Sequence, residues 1–269
     1  MNSVPMTVLV VGATGSIGRL VVAEALRQGH AVRALLRDVG RARGLPQEAQ
    51  RVVGDLTRPE TLTAAVEGVD AIVFAHGSDG GSKGAAEQVD YGGVRNVLQA
   101  LERRQVRIAL MTAIGVTNRQ AAYNRATQIH DWKRRGERLL RASGLPYTIV
   151  RPGWFDYNAP DQRRLVLLQG DTRHAGDPGD GVISRQQIAH VLVGSLLSDV
   201  ARSKTFELVA ERGPAPTDLA PLFAALDPDV ARALDGVRDN ANMPLADEPA
   251  RVREDLAQFA AASPVVHRR

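Results

Sequence analysis

Short apolar runs alternate with amphipathic stretches through the first half of the chain. The apolar runs are continuous, as in Thr7–Val11, which is typical of strands buried on both faces of a parallel sheet. The stretches between them repeat their apolar residues at helical spacing, as Ile17, Leu20 and Val21 do before Gly29. This alternation predicts βαβ units. The predicted strands of this half are 7–11, 31–36, 51–53, 71–75, 108–111 and 147–150.

The order of these elements predicts a doubly wound α/β fold, a Rossmann-type parallel sheet with helices on both faces. After Gly153 the pattern changes, and Gly, Asp, Asn and Pro become frequent. We therefore divide the chain into a Rossmann core at 1–153, a smaller C-terminal substrate lobe at 154–235 packed on it, and a C-terminal extension at 236–269. Predicted helices lie at 16–27, 59–67, 87–103, 124–143, 185–197 and 251–262, and further strands at 165–168 and 205–209.

Composition narrows the class of protein. The 269 residues are enough for one large α/β domain, and the absence of cysteine excludes disulfides, thiolate nucleophiles and zinc-thiolate sites. We expect no metal. No apolar run approaches the roughly 20 residues that cross a bilayer, and we expect a cytoplasmic protein that uses no membrane. The net charge is +4, but scattered basic residues and only 4% aromatic residues argue against nucleic acid and favour a small-molecule ligand.

A glycine-rich loop directly follows the first strand and opens the first helix. Glycines at such a turn allow a tight bend, let the backbone approach a diphosphate and let the helix pack closely on the strand. The helix N-terminus then offers free N–H groups and the positive end of its dipole to the phosphates. We expect a dinucleotide to be bound here by Gly12, Thr14, Gly15, Ser16, Ile17 and Gly18.

The end of the second strand indicates which dinucleotide binds. NAD sites usually place Asp or Glu there to hold the ribose 2′-hydroxyl group, whereas the 2′-phosphate of NADP requires a cation. Here the strand ends in Arg37, and Asp38 comes one residue too late for the acidic role. A guanidinium can bind a phosphate through two parallel hydrogen bonds, so we expect NADP(H) in preference to NAD(H). The alternative is that Arg37 belongs to an arginine-rich surface.

Two further strand ends fit the same ligand. After the third strand, Asp55 and Leu56 are expected near the adenine, although Asp55 can equally be a turn or N-cap residue. After the fourth strand, Ala75, His76 and Gly77 are expected against the ribose, and His76 can alternatively be a solvated imidazole on a loop.

Together these motifs resemble the atypical short-chain dehydrogenase/reductases of the NAD(P)H-binding, NmrA-like group. The resemblance covers residues 6 to about 210 and includes Tyr91–Asn96 and Ser143–Gly153. It implies an extended-type Rossmann domain that binds a nicotinamide cofactor. It does not identify a reaction, because the group contains reductases of quinones, flavins and carbonyls, sugar-nucleotide enzymes, and cofactor sensors that catalyse nothing.

The resemblance also implies a Tyr and a Lys four residues apart on one helix face, and a Ser or Thr after the fifth strand. The ammonium group of such a Lys lowers the pKa of the phenol and holds the nicotinamide ribose. Lys133 occupies the Lys position, but Ile129 stands where the Tyr is usual. The alternative for Lys133 is a solvated basic face shared with Arg134 and Arg135. The other candidate catalytic residues are His130, Tyr123 and Thr112.

The turn after the sixth strand completes the candidate site. Pro152 and Gly153 are expected beside the nicotinamide. Trp154, Phe155 and Tyr157 are expected to form a flat apolar wall for the substrate, or else a hydrophobic plug that anchors the small lobe.

The sequence thus predicts an NADP(H)-dependent reductase of a small carbonyl, quinone or flavin-like acceptor. A flavin or quinone can accept a hydride while water supplies the proton, so a side-chain acid is not essential. Because the usual Tyr is missing, a non-catalytic NADP(H)-binding redox sensor is the main alternative. A nucleotide-sugar epimerase or dehydratase is the third.

Overall fold

A mostly parallel sheet runs through the described part of the chain, which comprises residues 4–78, 82–102 and 104–262 of a computed structural model. Its strands are β1 (Thr7–Val11), β2 (Ala31–Leu36), β3 (Gln50–Val53), β4 (Ala71–Phe74), β5 (Arg107–Met111), β6 (Tyr147–Pro152), β7 (Trp154–Phe155), β8 (Arg164–Leu168), β9 (Val182–Ile183) and β10 (Lys204–Glu211). The helices are α1 (Ser16–Arg27), α2 (Thr63–Val66), α3 (Lys83–Ala85), α4 (Gly92–Leu101), α5 (Ala122–Thr127), α6 (Ile129–Ala142), α7 (Arg185–Leu197), α8 (Ala220–Ala224) and α9 (Ala250–Ala262). A π-helical segment, Ala86–Tyr91, joins α3 to α4.

The strand order confirms the doubly wound Rossmann-type prediction. It is β3-β2-β1-β4-β5-β6-β10-β9-β7, with β8 also paired to β10. Strands β2 and β3 follow on one side of β1 and strands β4 to β6 on the other, so the winding reverses between β1 and β4. Sheets of this kind bind ligands beyond the carboxyl ends of the strands at such a reversal. Strand β10 pairs in parallel with β6 and antiparallel with β8 and β9. The segment predicted as a substrate lobe therefore shares this sheet, and its boundary at Gly153 stays a prediction.

Each face of the sheet packs against its own layer of helices. In β1, Val8 and Val10 join the core beneath α1 and α7, whereas Leu9 and Val11 join the core beneath α4, α6 and α9. Alternate side chains of a strand point to opposite faces, so a strand covered on both sides needs a continuous apolar run. None of the helices in the described ranges has the length and apolar character needed to cross a membrane.

Three of the predicted helices differ from those observed. The helix predicted at 124–143 is two helices, because Gln128 adopts a left-handed conformation (φ 58°) between α5 and α6. The helix predicted at 59–67 is a 3₁₀ turn, Pro59–Thr61, followed by the single turn of α2. The helix predicted at 87–103 begins earlier, at α3, and residue 103 lies outside the described residues.

Candidate functional site

The glycine loop packs backbone against backbone at two of its glycines. Gly12 has a φ of 86°, and a Cβ atom there would lie 2.8 Å from the backbone of Ala75 and His76. A Cβ atom at Gly18 would lie 2.0 Å from the Gly12 carbonyl oxygen. Gly12 therefore makes the turn against the end of β4, and Gly18 lets α1 approach β1. At Gly15 a Cβ atom would meet only the Gly12 carbonyl oxygen, at 3.2 Å, so the space beside Gly15 is open.

The N-terminus of α1 is ready to receive an anion. Gly15 is the N-cap residue, it provides no side-chain cap, and the first turn of α1 contains no acidic residue. The N–H groups of Ser16 and Ile17 therefore have no partner within the helix. The Thr14 carbonyl oxygen accepts a hydrogen bond from Arg19 Nε at 2.9 Å, which ties the loop to α1. Uncapped N–H groups aligned with the helix dipole fit the diphosphate of a dinucleotide.

At the end of β2, one arginine is available while its neighbours are engaged. Arg37 is exposed and makes no hydrogen bond or ion pair with the residues that the structure describes. Arg33 donates to backbone carbonyl oxygens at the end of α2, at 3.0 and 2.6 Å. The Asp38 carboxylate accepts from a backbone N–H two residues later, at 2.9 Å. The strand end therefore presents a cation, and the Asp38 carboxylate is already hydrogen-bonded to the backbone.

Asp55 forms the turn after β3. Its Oδ1 atom accepts hydrogen bonds from the N–H and the hydroxyl of Thr57, at 2.9 and 2.8 Å. The Thr57 N–H bond holds the pKa of the Asp55 carboxyl below its usual value. Leu56 is anchored through its carbonyl oxygen, which accepts from Asn96 Nδ2 at 2.6 Å. This geometry favours the turn-forming interpretation of Asp55.

The ring of His76 is held by the protein rather than by water. Its Nε2 atom donates to the Val89 carbonyl oxygen at 3.0 Å, and the ring packs 5.6 Å from that of Phe74. A Cβ atom at Gly93 would lie 2.9 Å from His76 Nε2, so only glycine fits there. Burial lowers the pKa of His76 to about 4, which keeps the ring neutral at physiological pH. The alternative of a solvated imidazole is wrong.

Lys133 reaches the carboxyl end of β4. Its Nζ atom pairs with Asp90 Oδ1 at 2.7 Å, and these side chains are 13% and 1% exposed. The other Asp90 oxygen accepts from the Ser78 hydroxyl at 2.5 Å. A Cβ atom at Gly77 would lie 3.5 Å from Lys133 Nζ. Asp90 belongs to the π-helical segment, a feature frequent at functional sites.

Helix α5 brings Tyr123 to His130. The rings of the two residues meet edge to face with their centroids 5.5 Å apart, and Tyr123 is 50% exposed. The left-handed Gln128 makes this possible by turning α5 back from α6. Burial lowers the pKa of His130, which favours the neutral imidazole. Lys133 follows one helical turn later.

Thr112 does not join this group. Its hydroxyl donates to Glu137 Oε1 at 2.7 Å in the buried interior. The prediction that Thr112 is a catalytic residue therefore conflicts with the geometry, because its hydroxyl is already bonded to the ion-paired Glu137. Ile129, at the position of the usual Tyr, is 5% exposed and packs into the core.

Buried ion pairs fix α6 to the C-terminal part of the chain. Arg134 and Arg135 are 0% and 7% exposed, which makes the alternative of a solvated basic face wrong. Their partners are Asp235 at 2.9 Å and Glu248 at 2.6 Å. Arg138 bonds both of these carboxylates, at 2.7 and 2.9 Å. The segment before α9 therefore positions the helix that carries Lys133 and His130.

Arg151 of β6 is the centre of this network. It contacts Glu137 and Asp239 at 2.7 Å each, and Glu207 at 3.3 Å. Although burial raises it, the pKa of Glu137 is lowered to about 2 by the Arg151 guanidinium. Glu207 contacts the arginine less closely and lies near Asp171 and Asp239, and burial raises its pKa to about 7.

Replacing Glu207 by Gln is expected to remove a pH dependence of stability. The folded protein holds this proton more tightly than the unfolded chain, whose Glu has a pKa of 4.5, so the stabilisation is present below pH 4.5 and lost as the pH rises to about 7. As the pH rises from 4.5 to about 7, the free energy of unfolding of E207Q should rise by on the order of 3 kcal/mol relative to that of wild type. Urea unfolding at a series of pH values measures this gain. The substitution of the exposed Glu211, Glu211→Gln, is the control. A difference in unfolding free energy between wild type and E207Q that stays the same at every pH would contradict the expectation.

The turn after β6 closes the crevice on its other side. The Pro152 carbonyl oxygen accepts from the Ile114 N–H at 3.0 Å, and a Cβ atom at Gly153 would lie 2.4 Å from the Gly181 carbonyl oxygen. Trp154 and Tyr157 remain 36% and 64% exposed, with their rings edge to face at 6.1 Å. These two rings are available to a ligand.

Phe155 and Arg185 form a contact that sequence reasoning missed. Phe155 packs on the core, and the Arg185 guanidinium lies over its ring, 5.3 Å from the centroid. Arg185 also pairs with Asp156 and donates from Nε to the Ser16 hydroxyl at 3.1 Å. The only local signal is the position of Arg185 directly after Ser184, the N-cap of α7.

Comparison with known proteins shows the family of the chain. The NAD(P)H-binding family matches residues 12–199 of the chain. The uncharacterized sugar epimerase YhfK of Bacillus subtilis is 32% identical over 76% of this chain and 94% of its own length. The sanguinarine reductase of Eschscholzia californica is 27% identical over 83% and 97%. The photosystem II assembly factor Ycf39 of Synechocystis is 28% identical over 84% and 69%.

A solved structure has the same architecture. It is a Bacillus halodurans protein assigned to the NAD-dependent epimerase/dehydratases, and it superposes with a TM-score of 0.64 at 25% identity. The match covers 82% of this chain and the whole of that one. The chain therefore shares its fold with that protein.

Proposed function

Because this chain belongs to the NAD(P)H-binding family, we propose that it is an NADP(H)-dependent reductase of planar, quinone- or flavin-like acceptors. The observation that carries the proposal is the arrangement around Lys133, which is paired with Asp90 beside Gly77 and has an apolar residue, Ile129, four positions before it. This arrangement supports groups that position a cofactor, in a place where the usual Tyr is replaced by Ile129.

The described residues include groups suited to each part of the cofactor. The loop Gly12–Gly18 fits the diphosphate, Arg37 fits the 2′-phosphate, and Lys133 and Gly77 fit the ribose next to the nicotinamide. When bound, NADPH supplies a hydride to the acceptor, and a proton from the solvent completes the two-electron reduction. Pro152 and Gly153 line the site on the side of β6.

The state of the candidate acids favours an acceptor that takes no proton from a side chain of the protein. Thr112 donates to Glu137, and burial lowers the pKa of His130, which favours its neutral form. Tyr123 is the remaining candidate. Simple carbonyl reduction depends on an acid at the forming alkoxide, whereas quinones and flavins delocalise the added charge over their rings.

The aromatic residues support a flat acceptor. Trp154 and Tyr157 expose ring surface next to Gly153, and such surfaces stack on planar ligands. One relative carries the name sanguinarine reductase, which agrees with a reductive function for this chain.

The acceptor preference can be tested by following NADPH oxidation with menadione, FMN and an aliphatic aldehyde. We expect turnover with the quinone or the flavin and none with the aldehyde. Tyr123→Phe should change the rate less than about threefold, because a positioned acid normally contributes 10²–10⁴-fold. Turnover of the aldehyde alone, lost in Y123F, would contradict the proposal. Tight NADPH binding without oxidation by any acceptor would favour the redox-sensor alternative.

The preference for NADP(H) depends on Arg37. Its removal should raise the dissociation constant of NADPH by about 10- to 100-fold, since a hydrogen bond to a charged group contributes roughly 1.5–3 kcal/mol. NADH, which lacks the 2′-phosphate, should bind Arg37→Ala as it binds wild type. Calorimetric titration measures both constants, with the exposed Arg202→Ala as the control. An equal loss of affinity for NADPH and NADH would show that Arg37 does not bind the 2′-phosphate.

A further inference from the structure

We infer that Arg185 is an additional ligand of the cofactor diphosphate and that Asp156 holds it in place until the cofactor binds. The inference rests on the proposed cofactor site. It concerns a residue outside the glycine loop, contributed by the helix that packs beside α1.

The contacts of Arg185 place its guanidinium at the start of α1. Its Nε atom donates to the Ser16 hydroxyl at 3.1 Å, and Ser16 is the first residue of α1. The guanidinium lies over the Phe155 ring, 5.3 Å from the centroid, which fixes its plane. A cation therefore lies next to the uncapped N–H groups that fit a diphosphate.

Most of the hydrogen-bonding capacity of this arginine is unused. A guanidinium carries five N–H donors, and Arg185 uses one for Ser16 and one for Asp156 among the described residues. Its side chain is 34% exposed, so a ligand can reach it. Arginine binds phosphate oxygens through two parallel hydrogen bonds, so the remaining donors suit a diphosphate.

Asp156 is the anion that a phosphate would replace. Its Oδ1 atom accepts from the Arg185 backbone N–H at 3.0 Å, while Oδ2 pairs with the guanidinium. Asp156 is 49% exposed, so this ion pair is weakly held. The pair lies on the β6–β9 side of α1, opposite β2 and Arg37, so Arg185 is assigned to the phosphate on the nicotinamide side.

The test compares two ligands by calorimetric titration. NADP⁺ carries both phosphates of the diphosphate, whereas adenosine 2′,5′-bisphosphate lacks the phosphate on the nicotinamide side. Arg185→Ala should weaken NADP⁺ binding by about tenfold or more and leave the bisphosphate within about twofold. The control is Arg212→Ala, which removes an exposed arginine directly after the end of β10.

A second variant tests the role of Asp156. Asp156→Asn keeps the Oδ1 acceptor for the helix N–H but removes the competing charge, so NADP⁺ should bind about two- to fivefold more tightly. The double variant R185A/D156N should match R185A. Unchanged NADP⁺ binding by R185A, or equal loss of both ligands, would overturn the inference. Wild type that binds neither ligand would instead refute the proposed cofactor site.

Discussion

Replacing Arg151 by Met is expected to lower the free energy of unfolding by about 3–5 kcal/mol, the usual effect of leaving buried charges without their partner. Arg151 is fully buried and binds Glu137 and Asp239 at 2.7 Å each. Methionine fills much of the volume but provides no charge. The two carboxylates, 0% and 1% exposed, then have to be protonated or hydrated.

Urea unfolding of R151M against wild type measures this loss. Arg164→Met is the matched control, because its partner Glu211 lies on β10 like Glu207, but both side chains are exposed, at 54% and 41%. An exposed ion pair contributes about 0–1 kcal/mol, so R164M should unfold almost as wild type does. A loss below about 1 kcal/mol in R151M would show that the network does not hold the core.

Replacing Gly15 by Ala is expected to weaken NADPH binding by about 100-fold or more while the protein keeps its fold. The φ of Gly15 is −70°, which alanine adopts freely, and the added Cβ atom would meet only the Gly12 carbonyl oxygen at 3.2 Å. The methyl group would instead occupy the space in which the diphosphate approaches the backbone. Losing two charge-assisted hydrogen bonds, at roughly 1.5 kcal/mol each, corresponds to about 100-fold.

Calorimetry and thermal unfolding of Gly15→Ala separate binding from folding. Gly18→Ala provides the contrast, because its Cβ atom would lie 2.0 Å from the Gly12 carbonyl oxygen and must disturb the fold itself. NADPH binding by G15A equal to that of wild type would show that the diphosphate does not approach this loop.

Local signals made much of the fold and of the cofactor site predictable from the sequence. The strands of the Rossmann core follow from continuous apolar runs, and the glycine loop follows from the spacing of Gly12, Gly15 and Gly18 after β1. Each of these signals lies within one βα unit, where backbone geometry restricts the residue types. Helix α7 was predicted with its observed bounds, and its N-cap Ser184 carries a capping box.

The missed features depend on contacts between distant parts of the chain. Arg151 and Asp239 are 88 residues apart, and Arg185 and Ser16 are 169 apart. Periodicity does not pair such residues, so the arginines of α6 were interpreted as a surface. The break at Gln128 has no Gly, Asn or Pro to mark it, and it decides where Tyr123 lies. Strands β7 and β9 have two residues each, too few to form a pattern.

A crystal structure of the protein with NADP⁺ tests the central claim most directly, namely that the carboxyl edge of this sheet binds a nicotinamide dinucleotide. We expect the diphosphate against the backbone N–H groups of Gly15–Ile17, the 2′-phosphate at Arg37, and the nicotinamide ring between Lys133 and Gly153. Density for the dinucleotide at any other surface, or an empty edge at saturating NADP⁺, would contradict the account.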